Sequence, residues 1–294
     1  MKKPLLLIAL LAFTGISFAQ EEEEPKKEGW ETEGVFTFLI NQSAFSNWIA
    51  GGENSLAGNL SVDYNFNYYG EKYTWENKLL LGYGLTKTEA SDYTKKTDDR
   101  INFSSLVSLN SDTKVRWSFL TQFRTQFTDG YEYFDDANGE EDRRVETRFM
   151  SPGYLMFGPG LLYEPSENFK INASPATAKM TFVNKSFTSA PDYENESYFG
   201  VGANKSTRFE LGFNATVFYK ATLMENVTID NTLNLYSNYL EDPQNVDIDY
   251  TLNLVMKIND ILSTNLSFQT IYDDNAFEGF QVREVLGLGV NATF

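Results

Sequence analysis

Residues 55 to 70, SLAGNLSVDYNFNYYG, alternate along their whole length. Leu56, Gly58, Leu60, Val62, Tyr64, Phe66 and Tyr68 form one set, and Ala57, Asn59, Ser61, Asp63, Asn65, Asn67 and Tyr69 the other. Successive side chains of a strand point to opposite faces, so this period of two predicts a strand with one apolar face and one face of amides and acids. The next stretch, KYTWENKLLLGYGLTKT, sets Tyr73, Trp75, Leu79 and Leu81 against Thr74, Glu76 and Lys78. Later stretches repeat the habit, with Arg116, Arg124, Asn214, Asp230, Asn234, Asp249, Asn253 and Arg283 each on the polar side of its own alternation. These dyads outrun the five or six residues usual in soluble strands. No helical period competes with them after the first twenty residues.

The connections sort into two kinds. Those at Gly70-Glu71, 111–113, 165–168, 223–225 and 259–261 are tight, while those at 43–54, 88–100, 128–147, 185–205, 241–245 and 274–280 are mostly long and polar, and the two kinds alternate. That asymmetry is the mark of an outer-membrane barrel with tight periplasmic turns and larger outside loops; a Greek-key sandwich has no reason to sort its loops so. The expected strands are 33–42, 54–69, 72–87, 101–110, 114–127, 148–164, 168–184, 206–222, 226–240, 246–258, 262–273 and 281–294. Twelve is even, which places both chain ends in the periplasm. The fold class expected is all-β, a transmembrane antiparallel up-and-down barrel, with the apolar set toward lipid and the polar set (Asn59, Asp63, Asn65, Glu76, Lys78 and their counterparts named above) lining the lumen. Trp75, Trp117 and Tyr219 fall near tight turns, where an interfacial girdle belongs. A type II′ turn with Gly70 at its first central position pairs Tyr69 with Lys72, Phe66 with Trp75, Val62 with Leu79 and Asp63 with Lys78.

The first residues change the picture of domain organisation. MKKPLLLIALLAFTGISFAQ has two lysines, an apolar run too short to span a bilayer, and Ser17-Phe18-Ala19 as a small-x-small cleavage site, so 1–19 reads as a secretory signal. Residues 20–32, beginning QEEEEPKKE, read as an acidic periplasmic leader, and 33–294 as the barrel. Removing 1–19 takes away Lys2 and Lys3 and moves the net charge from -17 to -19. Such acidity excludes binding of nucleic acid by bulk attraction. There is no Cys, so disulfides contribute nothing, and no His, so Ser-His and Cys-His nucleophile pairs and His-bearing metal sites are excluded. The expectation is a protein that is not an enzyme and carries no cofactor.

Five segments stand apart from the dyad. EYFDDANGEEDRR (132–144) joins acids to Asn138-Gly139, a favoured type I′ turn; it is read chiefly as an exposed hairpin, with Asp135, Asp136 and Glu140 as weak candidates for a divalent-cation site. KTDDR (96–100) and YDDN (272–275), at expected outer rims, are read in the same way, chiefly as exposed loop, with cation-mediated bridging to lipopolysaccharide phosphates as the alternative. SNWIAGGENS (46–55) sets Trp48 near Gly51 and Gly52, which reads as an interface anchor or as a loop constriction over the pore. Finally, SPGYLMFGPGLLYEP breaks the alternation with prolines and glycines, so bulges or kinks belong there, and a weak seam between the sixth and seventh strands is the alternative account.

In order along the chain, SNWIAGGENS, KTDDR, SPGYLMFGPGLLYEP, INASPATAKMTFV, SNYLEDPQNVDIDYTLNLVMKIND and IYDD resemble a family of Bacteroidota proteins catalogued only as a domain of unknown function. The likeness runs through nearly the whole mature chain and implies an outer-membrane setting; it implies no activity and no site residue. Two functional readings follow from the pattern itself. The first is a narrow hydrophilic channel for small solutes, since twelve strands lie between the eight that side chains fill and the sixteen or more that leave an open channel. The second is a non-transporting barrel serving as scaffold or accessory subunit of an envelope complex. Expected partners are outer-membrane lipid and lipopolysaccharide, the barrel-assembly machinery that would read the terminal Phe294, and an envelope protein partner.

Overall fold

The structure is a computed structural model that describes residues 28–47, 49, 51–189 and 197–294. The expected signal segment, residues 20–27 of the expected leader and Trp48 lie outside the described residues. Alternation along the chain becomes β1 (Gly29–Ser43), β2 (Ser55–Tyr69), β3 (Tyr73–Thr88), β4 (Lys95–Leu109), β5 (Val115–Thr125), β6 (Gly130–Asp135), β7 (Glu141–Thr147), β8 (Gly153–Ser166) and β9 (Phe169–Phe182). A short helix α1 (Lys185–Thr188) follows, then β10 (Ser197–Tyr198), β11 (Val201–Gly202), β12 (Thr207–Met224), β13 (Val227–Asn238), β14 (Asp247–Lys257), β15 (Leu262–Asp273) and β16 (Phe277–Thr293). Twelve of these close one antiparallel barrel in the order β1-β16-β15-β14-β13-β12-β9-β8-β5-β4-β3-β2, while β6/β7 and β10/β11 are small hairpins within connections.

Closure is what lets such a sheet face hydrocarbon, because every backbone donor and acceptor finds a neighbouring strand and no edge is left bare. The last closure joins β1 to β16 from Val35↔Thr293 to Ile40↔Leu288, and Gly34 and Phe294 exchange two further backbone bonds of 2.8 and 2.9 Å. A Cβ at Gly34 would collide with the Phe294 ring, so glycine there makes the room that the terminal aromatic occupies. The outer surface is apolar: Phe36, Ile40, Leu60, Phe119, Leu161, Leu211, Leu286 and Val290 are all exposed. Around the short-turn end, Trp30 packs 5.4 Å from Tyr68 and 5.8 Å from Trp75, and Trp117 and Tyr219 are exposed at a similar distance from their own turns.

Four expectations are corrected. Strand β1 begins at Gly29, so Trp30 to Thr32 belong to the barrel, paired with Tyr68 to Phe66, and not to the acidic leader. Strand β4 begins at Lys95, so KTDDR is strand; its charges resemble a loop only because their partners lie elsewhere in the chain. Strand β16 begins at Phe277, leaving 274–276 as a three-residue turn closed by Ala276 N–H on the Asp273 carbonyl, an exception to the alternation of short and long connections. The β2–β3 hairpin closes with Gly70 N–H on the Tyr73 carbonyl at 3.0 Å, and none of residues 70–72 has a positive φ, so it is not the mirror-image turn. Consequently Asn65 pairs with Lys78, Val62 with Leu81 and Tyr68 with Trp75, a slip of two residues from the expected register. A slip of two keeps every side chain on its face.

The proline- and glycine-rich segment does carry bulges, with register shifts between Phe157 and Leu161 and between Tyr163 and Ser166 on β8. A Cβ at Gly158 would lie 2.6 Å from the Ala176 carbonyl oxygen, and one at Gly160 would lie 2.6 Å from that of Ala173. Glycine is required where the two backbones approach this closely. The long connection after β9 packs on itself through Val183, Tyr198 and Val201, with Phe187 and Phe199 against them.

Candidate functional site: the barrel lumen

The inner face is identified by contacts that only the interior permits. Arg124 on β5 donates from Nη1 to Asp249 Oδ2 on β14 at 2.7 Å, although four strands separate them on the shorter way round. Lys170 on β9 pairs with Glu76 on β3, and Arg283 Nη1 on β16 lies 3.1 Å from Asp98 Oδ2 on β4, each with three strands between. Following the register from strand to strand carries this face around the barrel. Asn59, Asp63, Asn65, Glu76, Lys78, Arg116, Arg124, Asn214, Asp230, Asn234, Asp249, Asn253 and Arg283 all lie on it.

The inner charges group by height. At the short-turn end Arg116 pairs with Glu164, Glu164 Oε1 lies 2.8 Å from Lys170 Nζ, and Lys170 reaches Glu76. These four side chains come from β5, β8, β9 and β3 and form one chain of alternating sign across the lumen. Above it Asp63 and Lys78 stand diagonally on neighbouring strands with Nζ 2.9 Å from Oδ2, and their side chains keep 40% and 42% of their exposure. Water therefore reaches the lumen at this level. Lys220 faces Asp230, which faces Asn253 on the next strand. Higher still, Gln122 Nε2 reaches Asn234 Oδ1 at 3.4 Å, Asn234 accepts from Thr216 Oγ1 at 2.8 Å, and Asn214 is fully buried beside them.

Toward the long-loop end lie Arg124–Asp249, with Gln269 Nε2 also donating to Asp249 at 2.9 Å, and a cavity of about 340 Å³ whose lining includes Asp98, Arg100, Arg124, Tyr154, Gln269 and Arg283. A second group gathers around Lys179, whose Nζ is 2.8 Å from Asp247 Oδ2, 3.7 Å from Asp273 Oδ2 and 3.7 Å from Glu210 Oε2. Asp247, Asp273 and Asp274 are the one set of acids among the described residues whose oxygens converge within 4.8 Å, and the Lys179 ammonium already serves two of them.

Asp135, Asp136 and Glu140 do not converge in that way. The Asp136 carboxylate is used by its own turn, accepting Glu140 N–H at 2.9 Å and Asn138 N–H at 2.8 Å, and these bonds hold its pKa below the ordinary aspartate value. Gly139 N–H closes on the Asp136 carbonyl, and Gly139, but not Asn138, has a positive φ. The loop is thus a type I turn with a glycine bulge, in place of the expected type I′ turn. Asp98 and Asp99 are likewise committed: Asp98 to Arg283, and Asp99 to Lys96 and the N–H groups of Phe127 and Thr128. KTDDR therefore carries paired carboxylates on a strand, in place of the exposed loop expected there. Gly51 and Gly52 both have positive φ, and their loop is stitched sideways to the next one by Asn54 on Glu89 and by Ala90 N–H on Glu53. Among the described residues of this loop, 44–47, 49 and 51–54, none lines the cavity.

Sequence reasoning missed Asp98, Arg100, Glu164, Lys170 and Lys179 as inner residues, whereas the alternation had already set Glu210 and Asp247 on the polar side of their strands. For Asp98 and Arg100 the signal was present, since Asp98, Arg100, Asn102 and Ser104 alternate with Asp99, Ile101 and Phe103.

The family described as Protein of unknown function (DUF3078) matches residues 40–131, which contain β2 to β5 but none of the resembling segments from SPGYLMFGPGLLYEP onward. No curated protein matches the chain. Among solved structures the chain is similar to the COG4313 outer membrane channel from Pseudomonas putida F1, at 9% identity and TM-score 0.41, over 95% of this chain and 100% of that one. It is similar to the translocator domain of the autotransporter NalP from Neisseria meningitidis, at 10% identity and TM-score 0.40, over 91% and 89%. The Pseudomonas putida toluene transporter TodX is matched at 8% identity and TM-score 0.35, over 91% and 88%. The chain is an outer-membrane-type β-barrel of twelve strands.

Proposed function

We propose that this barrel is a narrow hydrophilic channel for small solutes, exported by its N-terminal signal and set in the outer membrane with its tight turns in the periplasm. The observation that carries the reading is the pairing of opposite charges and amides on the inner face at every height, with Asp63 and Lys78 still two-fifths exposed midway. A lumen that is wet at its middle and lined by fixed charges of both signs suits small polar solutes or ions and disfavours apolar cargo. In this reading the Arg124–Asp249 and Lys170–Glu76 bridges are the constrictions, each set by side chains that move without disturbing the ladder. The aromatic turn end and the apolar outer belt face lipid, and lipopolysaccharide meets the long loops.

The second reading, a non-transporting scaffold, is favoured by the same two bridges taken as a permanent plug. Single-channel recording on purified, refolded protein separates the two. Stepwise conductance supports the channel, and a silent barrel that is correctly folded supports the scaffold.

A further inference from the structure

We infer that the cavity at the long-loop end is a binding site for a small oxyanion, a carboxylate or phosphate group, held between Arg100 and Arg283. Both guanidiniums lean on one carboxylate. Arg283 Nη1 is 3.1 Å from Asp98 Oδ2, and Arg100 Nε is 3.5 Å from the same oxygen without making a hydrogen bond. Arg100 Nε and Arg283 Nη2 are both buried from solvent and have no hydrogen-bond partner among the described residues. Buried donors are nearly always satisfied, by protein, water or an ion, so an unused N–H group on each of two arginines that line the same cavity marks a place where acceptor oxygens belong. A guanidinium offers its donors in a planar fork that fits carboxylate and phosphate oxygens in pairs.

Charge and space agree. The lining holds Lys96, Arg100, Arg124 and Arg283 against Asp98 and Asp99, a surplus of two positive charges, and Asp249 beside Arg124 leaves a surplus of one. That surplus is set inside a chain whose net charge is -17, and about 340 Å³ of cavity lies beside it. Gly82 makes the geometry attainable, since a Cβ there would lie 2.7 Å from both Arg100 Nε and Asp98 Oδ2. The inference names a solute class for the proposed channel, yet it requires only binding.

The test is calorimetric titration of the full chain, folded in detergent, with inorganic phosphate against chloride at matched ionic strength. Saturable heat in the millimolar range or below is expected, with R283Q and R100Q each weakening affinity tenfold or more. Asp98→Asn should tighten it severalfold, because it removes the carboxylate that competes for both forks. No saturable heat from the parent, or affinity unchanged in both arginine variants, overturns the inference. If neither arginine variant refolds, D98N decides alone, and unchanged or weaker binding there overturns it. A silent barrel that binds phosphate counts against the channel reading only, whereas a conducting barrel that does not bind it counts against this inference only.

Discussion

Arg124 Nη1 and Asp249 Oδ2 meet at 2.7 Å across the lumen, from strands with four others between them. In a conducting barrel this pair narrows the path, so R124A and D249N should each raise unitary conductance severalfold, and the double variant should add little to the larger single effect. Part-exposed pairs of this kind (36% and 23%) contribute about 1 kcal/mol or less, so melting should stay near that of the parent. Equal conductance in all four proteins would count against a constriction here.

The β2–β3 register is testable with paired cysteines, which this Cys-free chain makes clean. Asn65 and Lys78 face each other directly, whereas Asp63 and Lys78 are diagonal. Directly paired Cα atoms lie about 4.5–5.5 Å apart and diagonal ones roughly 7–8 Å, and disulfides rarely span more than about 7 Å. Oxidation should cross-link N65C/K78C efficiently and leave D63C/K78C largely reduced. The reverse pattern would restore the register expected from the turn.

That slip shows where legibility ended. Strict alternation in residues 55–88 separated inner from outer side chains, because a period of two allows nothing else, but it fixes pairing only up to steps of two. The choice between Asp63 and Asn65 as the partner of Lys78 fell to the turn, and Gly70 proved to flank the turn's centre. Trp30 was hidden because it follows a run of acids, and KTDDR because charges signal solvent in most proteins. In a wet barrel, inward charges find partners across the lumen. Asp98 meets Arg283 and Glu76 meets Lys170 only after closure, which no local pattern encodes.

Asp63 and Lys78 should control selectivity and leave stability almost unchanged. Both are two-fifths exposed, so losing the pair should cost under about 1 kcal/mol. Lys78→Ala should shift the reversal potential toward cations and Asp63→Ala toward anions, in salt gradients across planar bilayers. Shifts of the same sign would contradict their shared place in the conducting path.

Glu141 fixes the β6/β7 hairpin to the connection before β4. Its carboxylate is 2.5 Å from Lys95 Nζ and accepts from Ser91 Oγ at 2.7 Å and from Asp92 N–H at 3.1 Å, and these partners, Lys95 foremost, hold its pKa below the ordinary glutamate value. A lowered carboxylate pKa contributes docking that is complete above the unfolded glutamate value and is lost as pH falls through the folded one. Protection of the Asp92 amide, its exchange rate relative to the intrinsic rate at the same pH, should therefore be high at neutral pH and fall in acid below the ordinary glutamate range. E141Q should show the faster exchange already at pH 7, and identical protection in E141Q and parent would remove Glu141 from this role.

Single-channel recording of the unmodified protein tests the central claim most directly. Purified barrel that is heat-modifiable on a gel, and so folded, should give stepwise currents in planar bilayers, small in keeping with the two bridged levels of the lumen. Persistent silence from the same folded sample, in R124A as well as in the parent, would contradict the channel and leave a sealed scaffold.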